Sequence, residues 1–193
     1  MKLMDQLSYL IEDVSGTEET PTTYSDKLIT FLTDDEGVGG EPLLYTYDDG
    51  YYNDPPIKYD SSRYKGGKPK GTLTIGYGHT GKEAYEGNVI KKEKALELLK
   101  EDLVWFVDGM NTILSSWSKA ELSGAKLNQC QYDALVSLMF NGGRQALRMS
   151  NWIQDIKYGR FDKASEKIKS WNCPLGVCNR RIRESNLFSN CVY

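Results

Sequence analysis

Apolar positions along this chain follow two periods, and together these place most of its elements. Leu3, Leu7, Leu10 and Val14 recur every three or four residues, which writes one stripe on a short helix. The run from Ser15 to Thr23 is polar and reads as a linker. Residues 1–23 are therefore expected to form an amphipathic helix and linker ahead of a domain spanning 24–193. Two uses of that helix stay open: packing on the domain, or docking on a separate partner. Ser25, a good N-cap residue, opens a predicted helix whose apolar face is Leu28, Ile29, Phe31 and Leu32 and whose end suits Gly37. Leu43–Tyr47 reads as a strand closed by the turn residues Asp48, Asp49 and Gly50. Thr72–Ile75 reads as a second short strand. Beyond it, Gly76 and Gly78 alternate with Tyr77 and the only histidine, His79. Such alternation strips side chains from one strand face, as in a cleft wall, or marks an edge strand with a bulge.

Between the two strands the composition changes. Tyr51, Tyr52, Tyr59 and Tyr64 stand among Pro55, Pro56, Pro69, Gly66, Gly67 and lysines, so residues 50–70 read as a long loop or irregular hairpin. Its tyrosine rings would either stack on sugar faces or pack loosely at the surface. After Thr80 the helical period takes over. Ala95, Leu98, Leu99, Leu103, Phe106 and Val107 line one side of a predicted helix over Val89–Asp108, long enough to be a spine. Shorter helices are predicted at Asn128–Phe140, around Met149–Tyr158, at Phe161–Trp171 and at Arg180–Leu187. Helix, small sheet, then helices alone is an α+β layout: a small β-hairpin subdomain beside a larger helical lobe, joined by a long helix.

Composition narrows the function classes. The 193 residues, 39% apolar and 26% charged, suit a globular domain with a real core rather than a disordered chain. No run of 18 apolar residues exists, so no membrane span is predicted. The opening Met1-Lys2-Leu3-Met4-Asp5 breaks its apolar run with charge and does not read as a secretory signal. The expectation is synthesis in a cytoplasm and delivery by something else. A net charge of −3 hides an asymmetry: residues 1–60 hold 3 basic and 14 acidic side chains, 3 − 14 = −11, whereas 61–193 hold 21 and 13, 21 − 13 = +8. The two parts attract across a shared cleft, or the basic part faces an anionic polymer, or the charges solvate separate faces. No basic run is interleaved with aromatics, so nucleic acid is not an expected partner. Cys130, Cys173, Cys178 and Cys191 lack zinc-ligand spacing, and neither a metal nor another cofactor is expected. Reduced thiols are the expected state of a cytosol-made protein; a Cys173–Cys178 disulfide, or Cys191 paired with either, is the oxidised alternative.

The candidate chemistry begins at Asp34, Asp35 and Glu36, three carboxylates crowded where the helix macrodipole is already negative. A local rule broken without local gain marks a functional position. With Asp49 in a turn and Thr74 on a glycine-bounded strand, Glu36 completes the kind of set glycoside hydrolysis needs: a proton donor for the leaving oxygen and groups that place water. With one histidine and no placed serine or cysteine, a nucleophilic triad is not expected.

Several blocks resemble the phage-type lysozymes, the muramidases found as bacteriophage endolysins. They are Asp35-Glu36-Gly37, Tyr47-Asp48-Asp49-Gly50, Leu73-Thr74-Ile75-Gly76-Tyr77-Gly78-His79-Thr80, the stretch from Leu127 through Asp133-Ala134-Leu135-Val136-Ser137 to Phe140-Asn141, Trp171-Asn172, and Arg180 to Phe188. They lie in the family's order and span about residues 24–189. The resemblance implies a lysozyme-like fold and hydrolysis of the β-1,4 bond between N-acetylmuramic acid and N-acetylglucosamine in peptidoglycan. It implies Glu36 as general acid, Asp49 as the residue that positions or activates water, and Thr74 as its hydroxyl partner, with inversion the usual outcome. Asp49 fits the family's tyrosine–residue–acid order, and Asp48 is the alternative. His79 is implied as a structural hydrogen-bonding residue near the cleft floor. Arg181 is implied as structural support; Arg180 or Arg181 reaches the acidic cleft or lies on a solvated helix face. Peptidoglycan strands are the implied partner, and a holin or delivery machine, engaged through the N-terminal helix, would bring the protein to the cell wall.

Two spacings depart from the family, in which the acid, aspartate and threonine are separated by about eight and then about five residues. Here 12 residues separate Glu36 from Asp49, and 24 separate Asp49 from Thr74. The second gap holds the tyrosine-rich insertion, which closure entropy tolerates because that cost grows slowly with length. The mildly acidic balance also departs from the many basic lysozymes that act on an anionic wall. Other readings follow from these departures: a non-catalytic glycan-binding or assembly module with a lysozyme fold, or a chitinase- or chitosanase-like glycosidase.

Overall fold

The computed structural model describes residues 19–36, 39–50, 56–117, 126–173 and 177–193. The predicted helix of residues 3–14, Gly37 and Tyr51–Tyr52 lie outside the described residues. The elements run α1 (Asp26–Glu36), β1 (Leu43–Asp48), two 3₁₀ turns (Ser61–Arg63 and Lys65–Gly67) and β2 (Leu73–Gly76). They continue as α2 (Lys92–Ser115), α3 (Gln129–Gly142), α4 (Arg144–Arg148), α5 (Ile153–Lys157), α6 (Phe161–Ile168) and α7 (Cys178–Asn190). The α+β layout is as the sequence predicts.

The centre of the helical lobe is α3, in which every residue from Cys130 to Met139 is buried. A helix covered on all sides must find internal partners for its polar groups. Asn128 and Gln131 supply a capping box at its start, with Gln131 N donating to Asn128 Oδ1 at 2.9 Å and Asn128 N to Gln131 Oε1 at 3.0 Å. Asp133 accepts from the backbone N and hydroxyl of Ser25, from Gln129 and from the Tyr193 hydroxyl. Ser25 thus stands where the cap was expected, but its hydroxyl is spent tying the start of α1 to α3. The residues before it are bound as well: Asn111 Nδ2 donates to Thr22 O (2.8 Å) and Gln129 Nε2 to Thr23 O (3.0 Å).

The long helix starts three residues later and ends seven residues further on than the Val89–Asp108 prediction. Val89 and Ile90 are taken by the sheet: Val89 bridges Tyr45, and Ile90 N donates to Leu44 O at 2.9 Å. At the other end, Met110, Ile113 and Leu114 continue the buried face. The helix predicted around Met149–Tyr158 is replaced by α4 and α5, and the one ending at Trp171 stops at Ile168.

β1 and β2 pair antiparallel, with Tyr47 opposite Thr74 and Asp48 opposite Leu73. On the other edge of β1, Lys58 bridges Tyr47 and Tyr59 N donates to Thr46 O at 2.7 Å, so the inserted segment covers what would be a bare strand edge. Tyr59 is buried, donates its hydroxyl to Gly67 O at 3.2 Å and packs against Tyr64, ring centroids 4.8 Å apart. These two tyrosines hold the insertion together rather than facing a cleft. The two glycines also differ from the alternating-strand expectation. Gly76 and Gly78 have φ of +70° and +87°, and they form a tight turn across which Ile75 and His79 exchange both backbone hydrogen bonds at 2.9 Å.

The cysteines are paired, contrary to the reduced state expected: Cys130 with Cys191 (Cα–Cα 5.2 Å) and Cys173 with Cys178 (Cα–Cα 4.9 Å). The first bond fastens the end of α7 to the start of α3, a partner for Cys191 that spacing did not suggest. Among the described residues no helix is long and apolar enough to cross a membrane.

Candidate active site

A cleft of about 500 Å³ opens between the sheet and the helical lobe. Its walls include Glu36 from the end of α1, Tyr47 from β1, Asp49 from the turn after it, Thr74 from β2, and Trp105, Phe140 and Asn141 from α2 and α3. The three residues that the sequence singled out are thereby brought to one cavity, although an insertion separates two of them.

Glu36 ends α1 beside the turn that follows β2. A Cβ built on Gly78 would lie in ordinary contact with Glu36 Oε2 (3.4 Å) and the Phe140 ring (3.9 Å), and it is the left-handed backbone there that calls for glycine. Arg180 donates from Nη1 to Glu36 Oε1, from Nε to Glu184 Oε1 (3.0 Å), and from Nη2 to the carbonyl and hydroxyl of Ser137 (3.4 Å each). Arg180 and Arg181 are both buried, so neither lies on a solvated helix face. Arg180 is the arginine that reaches the cleft acid. Arg181 instead donates to Glu184, to Trp171 O (3.0 Å) and to the side chain of the cleft residue Asn141, which makes it a support behind the wall.

The neighbouring acids divide sharply. Asp48 is buried and accepts from the backbone N–H groups of Lys70 (2.7 Å), Gly71 (2.8 Å) and Gly50 (2.9 Å). Burial opposes its charge, yet these three donors outweigh that and hold its carboxyl below the usual range. Asp48 therefore closes the neck of the insertion. Asp49 is exposed, accepts from Thr72 N on one oxygen, and faces the cleft. Thr74 is buried in the cleft wall and donates its hydroxyl to Thr72 O at 3.2 Å, leaving oxygen lone pairs available as acceptors. Tyr47 stands by both acids: burial, then the charges of Glu36 and Asp49, push its hydroxyl up to about 12, so it remains a neutral donor.

His79 leaves the cleft to its neighbours. Its Nδ1 lies 2.9 Å from Asp102 Oδ2 and its Nε2 3.0 Å from Glu83 Oε2, which ties the β2 turn to α2. Asp102 itself lines the cleft, and burial raises its proton affinity while the His79 hydrogen bond works against that rise.

Sequence reasoning did not assign Tyr47, Asp102, Trp105 or Asn141 to the site. Trp105 offered a usable signal: it lies off the apolar stripe of α2, and it is 54% exposed.

The mostly helical chain with its small two-stranded sheet has a lysozyme-like fold. The family model described as phage lysozyme matches residues 59–184, and the chain belongs to that family. The matched span holds Thr74, His79 and Arg180; Glu36 and Asp49 precede it. The chain is 36% identical over 130 residues to an endolysin of Bacillus phage B103, covering 65% of this chain and 46% of that protein. It is also 36% identical over 127 residues to the endolysin of Salmonella phage P22, covering 62% of this chain and 81% of that protein. The chain thus spans about half the length of its Bacillus phage relative. Among solved structures it is similar to a point mutant of P22 lysozyme (TM-score 0.60, 33% identity, covering 86% of this chain and 97% of that one). It is also similar to the muramidase domain of SpmX from Asticaccaulis excentricus (TM-score 0.65, 25% identity, with the same coverage of both chains).

Proposed function

We propose that this chain hydrolyses the β-1,4 bond between N-acetylmuramic acid and N-acetylglucosamine in peptidoglycan. The observation that carries the reading is the convergence of Glu36, Asp49 and Thr74 on one cleft although 24 residues separate the last two. Glu36 donates its proton to the leaving glycosidic oxygen. Asp49 accepts a proton from the attacking water, and the Thr74 oxygen helps place that water. Tyr47, Trp105 and Phe140 line the cleft in which the sugars would lie, and Asn141 has its amide NH₂ to offer their polar substituents. Asp48, with its lone pairs given to three backbone donors, is not the second catalytic acid. The family, and relatives named as endolysins and as a muramidase domain, support this reading. On this reading the protein works at a bacterial cell wall, delivered there by a holin or an equivalent machine.

The test is turnover of purified peptidoglycan against chitin oligomers by wild type, Glu36→Gln and Asp49→Asn. Turnover of peptidoglycan alone, lost in both variants, is expected. A chitin-only activity would reassign the substrate, and glycan binding without turnover would make the chain a binding module.

A further inference from the structure

Three aromatic rings form a row along the helical wall of the cleft. Phe140 stands with Glu36 against Gly78; Phe106 lies 5.0 Å from Phe140 between ring centroids, and Trp105 meets Phe106 edge to face at 4.9 Å. All three line the cleft, and the row that begins beside Glu36 ends at Trp105, which is 54% exposed. One face of that indole is taken by Arg144, the first residue of α4, whose Cζ lies 3.6 Å from the ring centroid. Arg144 lines a second cavity of about 500 Å³, with Gly109, Ile113 and Met149, and not the cleft. Its Nη2 donates to Trp105 O and to Asp108 Oδ2 (3.4 Å), so the cation–π contact is anchored at its tip. Arg144 crosses α2 at Gly109, where a Cβ would collide with its Nε and Cδ. Glycine is a poor helix residue, and here its missing side chain seats the guanidinium. The Nε is buried there without a hydrogen bond, a cost that the stacked ring and the two Nη2 acceptors offset.

We propose that Trp105 is a binding platform for a sugar ring of the glycan strand, away from the bond that is cleaved, and that Arg144 is the residue that positions it. This rests on the reading of the cleft as a glycan-hydrolysing site. A pyranose ring has a flat C–H face, and the exposed indole supplies a flat apolar surface for it to cover. An indole in water samples several rotamers, and holding it in one costs entropy when a ligand binds. Arg144 meets that cost beforehand. It stacks on one face, holds the backbone of the same residue through Trp105 O, and leaves the ring open on the cleft.

The experiment is the kinetics of soluble peptidoglycan glycan strands with wild type, Trp105→Leu, Arg144→Leu and the double variant. Trp105→Leu should raise KM about tenfold and keep kcat within about twofold, as expected for binding away from the reacting bond. Arg144→Leu should raise KM about threefold or more, and the double variant no further than Trp105→Leu alone, because the arginine acts through the ring. Trp105→Tyr, which keeps a flat ring, should recover most of the loss. A KM unmoved by Trp105→Leu, or a tyrosine as poor as leucine, overturns the platform. Losses that add in the double variant would give Arg144 a glycan contact of its own, and a KM unmoved by Arg144→Leu would make it a structural residue; either overturns the positioning role. Should Arg144→Leu fail to fold, Gly109→Ala removes the arginine's seat while favouring the helix, and the same rise in KM is expected. Strands that wild type does not cleave at all would instead overturn the reading of the cleft.

Discussion

Asp48 and Asp49 are adjacent in sequence yet face opposite demands, and single substitutions should separate them. Replacing Asp48 by Asn turns an amide NH₂ toward backbone donors and should cost about 2–3 kcal/mol of stability, read from denaturant melts. Asp49→Asn should leave the melt nearly unchanged and reduce turnover by about a hundredfold or more. The pH dependence of stability carries the same distinction. A carboxyl held below its usual range in the folded chain contributes stability above its unfolded value, near 4, and that contribution is lost as pH falls through its folded value. Wild type should therefore lose stability below about pH 4 more steeply than Asp48→Asn, in melts taken from pH 5 to pH 2. Gly78 is a third informative position. Gly78→Ala adds a Cβ beside Glu36 on left-handed backbone, which should cost about 1–2 kcal/mol and lower turnover as well.

The elements show what local pattern carries and where it stops. α1 and the two strands were legible because their apolar spacing and turn residues agree with where they pack. The start of α2 was not, because Val89 and Ile90 fit a helical stripe equally well and only the long-range edge of β1 claims them. The glycine turn after β2 is not legible for a similar reason: alternating glycines fit a strand equally well until their φ values are known. Arginine reach has no local signature either: neighbouring Arg180 and Arg181 share Glu184 but otherwise part, one to Glu36 and the other to Asn141 and Trp171 O, and only the packing of α7 on α3 decides which meets Glu36. The cysteine pairing joins residues 61 apart, and connectivity of that kind has no local signature. The two disulfides should nonetheless behave differently. By loop entropy, the 61-residue closure is worth about 4 kcal/mol and the 5-residue closure about 2. Cys191→Ser should thus lower the melting temperature more than Cys178→Ser. The latter loosens the start of α7, two residues before Arg180, and should cost more turnover than its melt implies.

At the scale of the whole molecule, the charge asymmetry seen along the chain becomes a contact. Arg180 and Arg183 from the basic part meet Glu36 and Asp35 from the acidic part, and Lys92 meets Glu41 at 2.7 Å. The acidic end of α1, wrong by its own macrodipole, is thereby matched by α7 and turned toward the cleft. That Glu36 is then the acid of a hydrolase is the central claim, and the products decide it. Purified peptidoglycan treated with wild type and with Glu36→Gln should be compared by mass analysis. Reducing N-acetylmuramic acid ends, released by wild type and absent with the variant, are the predicted result. Anhydro ends would contradict it, because that chemistry needs no water and would leave Asp49 and Thr74 without their proposed task.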